Sequence, residues 1–297
     1  MQNIIINIIL VGVIINILFY LYKIIANKYK LIDRPQNLSV HQHDIPTGAG
    51  IIFIIVLIVF YFLFKFELIS QIKNINFPNR EYILFFSVFA LGIISFYDDI
   101  KEVHPIYRLT LHFIIVLISL PLLSFYIPSE IQKFLPLKLL TITIIFFWVY
   151  LINIYNFLDG SNGYLTCNSL QFFIGFCLTN ILNDNLDFNF YLALLIILLS
   201  INYLFYNFPK AKIFMGDSGS ITIGYLIGYL FLVLLFNGDW AVGIALIIYP
   251  VMDVSLTIIR KMLNNKYPWE RLFDYFFLRA LMAVNKNHIK IFNISLF

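Results

Sequence analysis

Between Asn153 and Tyr164 the chain reads Asn-Ile-Tyr-Asn-Phe-Leu-Asp-Gly-Ser-Asn-Gly-Tyr, where the apolar run from Leu139 to Tyr155 gives out. Asn153, Asn156 and Asp159 are spaced by three, so on a continuing helix they share one face and could present oxygens to one ligand or metal. Gly160 and Gly163 let the backbone turn sharply or approach that ligand closely. A helix end closed by Asn and Gly caps accounts for the same residues equally well. The surroundings have to decide.

Other polar clusters also border apolar runs. Asp98-Asp99 follows Tyr97, and adjacent carboxylates repel each other unless a metal, a proton or solvent relieves them. His104-Pro105-Ile106-Tyr107-Arg108 leads into the next run. Phe214-Met215-Gly216-Asp217-Ser218-Gly219-Ser220 directly precedes another. Glycines with Asp217 and Ser218 before a helix start suit an anion, because free amides and the helix dipole point there; an ordinary N-cap is compatible with the same residues. Asp253 lies inside a run, where a lone carboxylate is a functional candidate, with Arg260 and Lys261 near enough to pair with it. Pro46-Thr47-Gly48-Ala49-Gly50 reads as a plain connector; His41 is the exception left open in that loop, although a histidine at a membrane surface is more often solvated than catalytic.

The elements that must position these residues are apolar helices. The 297 residues are 61% hydrophobic and only 12% charged, with a mean hydropathy of +0.88. Average soluble domains are about 25% charged, so this composition predicts an all-α, polytopic membrane bundle, with residues 1–297 as a single transmembrane domain. Nine runs are long enough to be helices: Ile4 to Tyr22, Gly50 to Phe66, Tyr82 to Tyr97, Leu109 to Tyr126, Leu139 to Tyr155, Leu165 to Leu182, Phe188 to Phe208, Ser220 to Phe236 and Trp240 to Ile259. Leu272 to Val284 is a shorter tenth segment, interfacial or re-entrant, which makes nine or ten transmembrane helices. The first run has no basic residues ahead of it and no small-residue cleavage site after it, so it is expected to remain as helix one. Cys167 and Cys177 sit in or beside apolar helices without ligand spacing and read as small core residues.

If loops alternate sides, one side receives Lys23, Lys28, Lys30, Arg34, Lys101, Arg108, Lys210, Lys212 and the basic residues from Arg260 to Lys290. The other receives only Lys65, Lys73, Arg80, Lys133 and Lys138. This asymmetry predicts a cytoplasmic location for the first set and an external N-terminus. All the polar clusters then lie on the cytoplasmic side. Carboxylates and amides with Arg108, Lys101 and Lys212 beside them could hold Mg²⁺ and a pyrophosphate.

Five motifs in order resemble the polyprenyl-phosphate N-acetylhexosamine-1-phosphate transferases, which start bacterial lipid-linked glycans. They are Asp33 to Gly50; Asp98-Asp99 with Arg108-Leu109 and His112-Phe113; Asn153-x-x-Asn156-Phe157-x-Asp159-Gly160-x-x-Gly163; Phe214 to Ser220; and Pro250-x-x-Asp253 with Arg260. The resemblance implies transfer of a sugar phosphate from a UDP-N-acetylhexosamine to polyprenyl phosphate in the bacterial cytoplasmic membrane, with Mg²⁺, or Mn²⁺ in its place, as cofactor. It implies that Asp98 and Asp99 lie next to the lipid phosphate, that Asn156 and Asp217 coordinate the metal and that Asp159 supports that centre. It further implies that Asn162 recognises uridine and Arg108 contacts the pyrophosphate; Asn153, Lys212 and Asp253 are further candidates for substrate contacts. The partners expected are the lipid and the UDP-sugar, not nucleic acid, with a homodimer left open. In the family the loop after helix nine carries an Arg and a histidine-rich motif. Here a reading from Pro268-Trp269-Glu270 places Phe273, Tyr275, Phe277 and Leu278 there; the Trp-Glu start with aromatics most resembles the O-antigen and surface-glycan subgroup. A catalytically weakened scaffold and, from another class, a transporter are the competing expectations.

Overall fold

The computed structural model describes residues 2–35, 41–66, 80–101, 103–123, 136–267, 275–284 and 288–289, with side chains from residue 8 onward. Ten helices account for nearly all of it: α1 (Gln2–Lys28), α2 (Gly50–Lys65), α3 (Glu81–Ile100), α4 (Pro105–Ser119, continued by a 3₁₀ turn Leu120–Leu123), α5 (Leu137–Phe157), α6 (Tyr164–Leu182), α7 (Phe188–Asn207), α8 (Asp217–Phe236), α9 (Trp240–Leu263) and α10 (Phe276–Ala283). Eight of them are long and apolar enough to cross a membrane, and the 16-residue α2 is the shorter ninth. The protein is a polytopic membrane helical bundle. Its one departure from pure helix, among the described residues, is a two-residue antiparallel bridge pairing β1 (Ile32–Asp33) with β2 (Ile45–Pro46).

The bundle is built around α8. About 94% of its span is buried inside the protein, against 17% for α1, which turns Ile9, Val13, Ile17 and Tyr20 outward as a lipid-facing helix would. Small residues set the packing: a Cβ on Gly228 would lie 2.3 Å from Trp148 of α5, and one on Gly224 would lie 2.9 Å from the Ile152 backbone. In a membrane, where lipid and side chain are equally apolar, such close backbone approach is a main source of helix association. Trp148 also donates its indole N–H to the Tyr225 carbonyl at 2.9 Å, and the Tyr225 hydroxyl reaches Ser119 at 2.7 Å, which in turn meets Ser87 at 3.0 Å. These four residues, inside the apolar bundle, thus satisfy one another.

Several helix limits differ from the sequence expectation, and at the end that carries the polar clusters the difference matters. Asp98 and Asp99 do not follow α3; they form its last turn, because the helix runs to Ile100. Asn153 and Asn156 lie in the last turns of α5, but the helix ends at Phe157, so Asp159 is not on their face. Asp217 begins α8 rather than preceding it. Pro105 occupies the first turn of α4, where its missing N–H costs nothing, and extends that helix toward Asp98.

Candidate active site

The ends of α3, α5 and α7 meet the starts of α4, α6 and α8 in one place. His104 caps α4 by accepting the Ile106 amide at 3.4 Å, and Asp98 closes the α3–α4 turn by accepting the Val103 amide at 2.6 Å. Arg108, one turn into α4, extends Nη1 to Asp98 Oδ2 at 2.8 Å and pairs Nη2 with Asp217 Oδ2. A planar fork joining two carboxylates is a geometry that lysine cannot supply. The Asn156 side chain lies beside Asp217. Arg108, Asp98, Asn156 and Asp217, drawn from four helices, form one constellation.

The sequence suggested free amides at the α8 start, ready for an anion. They are not free: Asp99 Oδ1 accepts the Asp217 amide at 2.7 Å and Asp99 Oδ2 the Ser218 amide at 3.3 Å. The anion at this helix start is the chain's own carboxylate, carried by α3. Gly216 makes room for it, since at φ +74° a Cβ there would sit 2.5 Å from Asp99 Oδ2. The segment Pro46–Gly50 is likewise more than a connector. It pairs with the loop before α8: Phe214 N donates to Pro46 O (2.7 Å), Ala49 N to Phe214 O (3.0 Å) and Gly50 N to Met215 O (2.8 Å). The His41 ring meets the Phe214 ring edge-on, 5.1 Å between centroids, so this histidine is packed rather than simply solvated.

Asp159 lies in the α5–α6 turn, partly buried, and burial followed by the charges of Asp217 and Asp99 holds its carboxyl well above the usual carboxylate range. Asn162 donates its side-chain amide to the Pro209 carbonyl at 3.1 Å. Gly163, the left-handed residue before α6, donates its N–H to Asn207 Oδ1 at 2.6 Å. Asn153 turns aside from the carboxylates: its amide reaches Val149 O at 2.8 Å and His112 Nδ1 at 3.4 Å. Lys212 points into solvent, its backbone N–H bonded to Tyr206 O.

Asp253 is buried and pairs with neither Arg260 nor Lys261 in ion-pair geometry. It accepts the amides of Phe276 (2.8 Å) and Phe277 (3.4 Å) and so caps α10 from within α9. That cap brings an aromatic column against the α5–α6 turn: Tyr275 stacks on Phe157 (5.7 Å between centroids) and Phe277 on Tyr164 (4.2 Å), with Lys261 over the Tyr275 ring (4.8 Å). Tyr275, Phe277 and Leu278 thus form an apolar floor where the sequence resemblance expects polar residues; Pro268, Trp269, Glu270 and Phe273 lie outside the described residues. A histidine does reach the turn, from farther along the chain. His288 Nδ1 is 3.0 Å from Ser161 Oγ and accepts the Asn162 amide at 3.2 Å.

Sequence reasoning missed the Pro46–Gly50 strap, Asn207 and His288. Asn207, an amide just ahead of Phe208-Pro209 where an apolar run ends, carried a readable signal; His288 carried none.

Residues 82–235, more than half of the chain, match the family model described as glycosyl transferase family 4. The chain belongs to glycosyl transferase family 4. It is 29% identical over 252 residues to the probable undecaprenyl-phosphate N-acetylglucosaminyl 1-phosphate transferase of Bacillus subtilis, covering 82% of this chain and 68% of that protein. It is 31% identical over 218 residues to the phospho-N-acetylmuramoyl-pentapeptide-transferase of Sulfurimonas denitrificans (62% and 59%). The undecaprenyl-phosphate alpha-N-acetylglucosaminyl 1-phosphate transferase of Thermotoga maritima is 24% identical over 251 residues (83% and 71%). The glycosyl transferase family 4 match contains Asp98, Asp99, Arg108, Asn153, Asn156, Asp159, Asn162, Lys212 and Asp217; the strap, Asp253 and His288 fall outside it.

Proposed function

We propose that this protein transfers N-acetylhexosamine-1-phosphate from a UDP-sugar to a polyprenyl phosphate, releasing UMP and starting a lipid-linked glycan of the cell envelope. The observation that carries this reading is the Arg108 fork joining Asp98 to Asp217 with Asn156 alongside. The relatives' names supply the reactants, and the Trp-Glu and aromatic pattern after α9 favours a surface glycan of the O-antigen type.

The residues present suit a hard divalent cation. Asp98 and Asp217 are joined through Arg108, and the charges of Asp217 and Asp99 reach Asp159. No group of three or more His, Cys, Asp or Glu side chains among the described residues forms a metal cage. That agrees with Mg²⁺, which is commonly held by one or two carboxylates and completed by substrate phosphates. Asp217 and Asn156 would hold Mg²⁺, or Mn²⁺ in its place, and the ion when bound supplies Lewis-acid stabilisation of the phosphoryl oxygens.

The chain's own residues then do the following. Arg108 offsets the charge of the two anionic reactants and of the departing UMP. Asp98 holds the Arg108 fork that orients the lipid phosphate beside it, whose oxygen attacks the sugar-linked phosphorus as the bond from that phosphorus to the bridging oxygen breaks. With a second pKa of about 6, a phosphate monoester is mostly dianionic at neutral pH, so positioning outweighs proton abstraction in this role. Asp99 serves by fixing the α8 start beneath Asp217, and Asn162 accepts from the uracil. The active site faces the cytoplasm of a bacterial inner membrane and the N-terminus lies outside, in keeping with the distribution of basic residues.

The test is UMP release by the purified protein in detergent, given undecaprenyl phosphate, Mg²⁺ and a panel of UDP-N-acetylhexosamines. Release that stops without lipid, with EDTA and in Asp217→Ala is the expected result. Folded protein that releases no UMP from any donor overturns the proposal.

A further inference from the structure

We infer that His288 is a positioning residue for the turn that reads the nucleobase, holding Asn162 so that its side-chain oxygen faces the uracil. The inference rests on the transferase reading above, in which Asn162 contacts uridine. Three consecutive residues of the α5–α6 turn are held by groups from elsewhere. Ser161 Oγ lies 3.0 Å and Asn162 N 3.2 Å from His288 Nδ1, Asn162 Nδ2 lies 3.1 Å from Pro209 O, and Gly163 N lies 2.6 Å from Asn207 Oδ1.

The donor logic fixes the roles. A backbone N–H can only donate, so Nδ1 of His288 is the acceptor and the ring proton sits on Nε2. The Ser161 hydroxyl rotates to donate to the same nitrogen. Asn162 commits its NH₂ group to a carbonyl, which leaves Oδ1 as its open acceptor. Uracil offers N3–H to such an acceptor, whereas cytosine presents a bare N3 and would leave both groups unpaired. Without His288 the Asn162 backbone loses its anchor, and Oδ1 is no longer held in one direction. The effect falls on nucleotide binding, because His288 touches neither Asp98 nor Asp217 nor Arg108.

Two substitutions separate this role from mere attachment of the C-terminal segment. Asn carries its side-chain oxygen near the position of Nδ1, while Gln carries its polar end near Nε2. His288→Gln therefore raises KM for the UDP-sugar about tenfold, the worth of roughly one hydrogen bond, with kcat and the KM for lipid phosphate unmoved. His288→Asn returns the UDP-sugar KM to near the wild-type value. The assay is steady-state UMP release by full-length protein, with thermal unfolding in detergent recorded for each variant. Equal UDP-sugar KM values in wild type, Asn and Gln variants overturn the inference, as does a fall in kcat with KM unchanged or equal KM losses in both variants. Absence of UMP release from the wild type overturns the transferase reading instead, and this inference with it.

Discussion

Replacing Gly50 by alanine should damage catalysis from outside the carboxylate cluster. Gly50 is the first residue of α2, and its N–H is bound to the Met215 carbonyl at 2.8 Å. A Cβ at this position would stand 2.0 Å from the Gly219 nitrogen and 2.3 Å from its Cα, both backbone atoms of α8 that cannot swing aside. Ordinary contact begins at 3.4 Å, so the strap and the α8 start must part by more than an ångström. Asp217 rides on that start, and misplacement of a catalytic group by about 1 Å costs on the order of 100-fold in rate. Overpacking adds a loss of about 1–3 kcal/mol in stability. Helix propensity alone predicts the opposite sign, since alanine is better than glycine by about 1 kcal/mol in a helix interior. The assay is kcat for UMP release per folded protein, alongside the unfolding midpoint. Gly12→Ala, inside α1, is the control: its nearest neighbour, Asn202 Nδ2, is 3.8 Å away, so kcat should hold and the midpoint should stay or rise as helix propensity alone predicts. A Gly50→Ala protein with wild-type kcat and midpoint would refute the close-packing argument.

Two further outcomes follow from the cluster itself. Arg108→Lys replaces a fork that joins Asp98 and Asp217 by a single ammonium, and kcat/KM for UMP release should fall by roughly 100- to 1000-fold; retention of more than a tenth of the rate would show that bridging is dispensable. Asp159 has a carboxyl pKa raised by burial and by Asp217 and Asp99, so the folded state keeps its proton at pH values where the unfolded chain, with a pKa of about 3.9, has lost it. Its contribution to stability is therefore full below that value and is lost as pH rises toward the raised one. Asp159→Asn, measured by thermal unfolding in EDTA, should be more stable than wild type at pH 8, with the gap closing toward pH 4, and a gap independent of pH would exclude this origin.

The helices were legible because membrane spans are a matter of apolar length, and nine runs sufficed to find them. Their ends were not, because Asp98 and Asp99 are polar residues that continue a helix instead of ending it, and Asp217 is one that begins a helix. The same limit explains the α8 start. Glycines before a helix do mark an anion site, but the anion comes from Asp99, 118 positions away, and nothing local announces it. The Arg108 cluster could be assembled by motif because each of its members lies at a helix end bordering one surface. His288 could not, since its role depends on where the chain returns after α10. The crowding of all these groups at one end of the bundle also speaks against a transporter, whose binding groups belong near mid-membrane on broken helices.

The caps at this end have an implication for how the protein comes into being. Helix α4 is closed by its own preceding residue, His104. At the starts of α6, α8 and α10, by contrast, amides are taken by Asn207, Asp99 and Asp253, each on another helix. During synthesis α3 enters the membrane long before α8, and α6 before Asn207 exists. A nascent or half-inserted chain therefore holds its acids and its amides apart and has no working centre. Under the function proposed above, activity would switch on only at closure of the bundle, so a truncated or misassembled copy would not spend nucleotide sugar in the membrane.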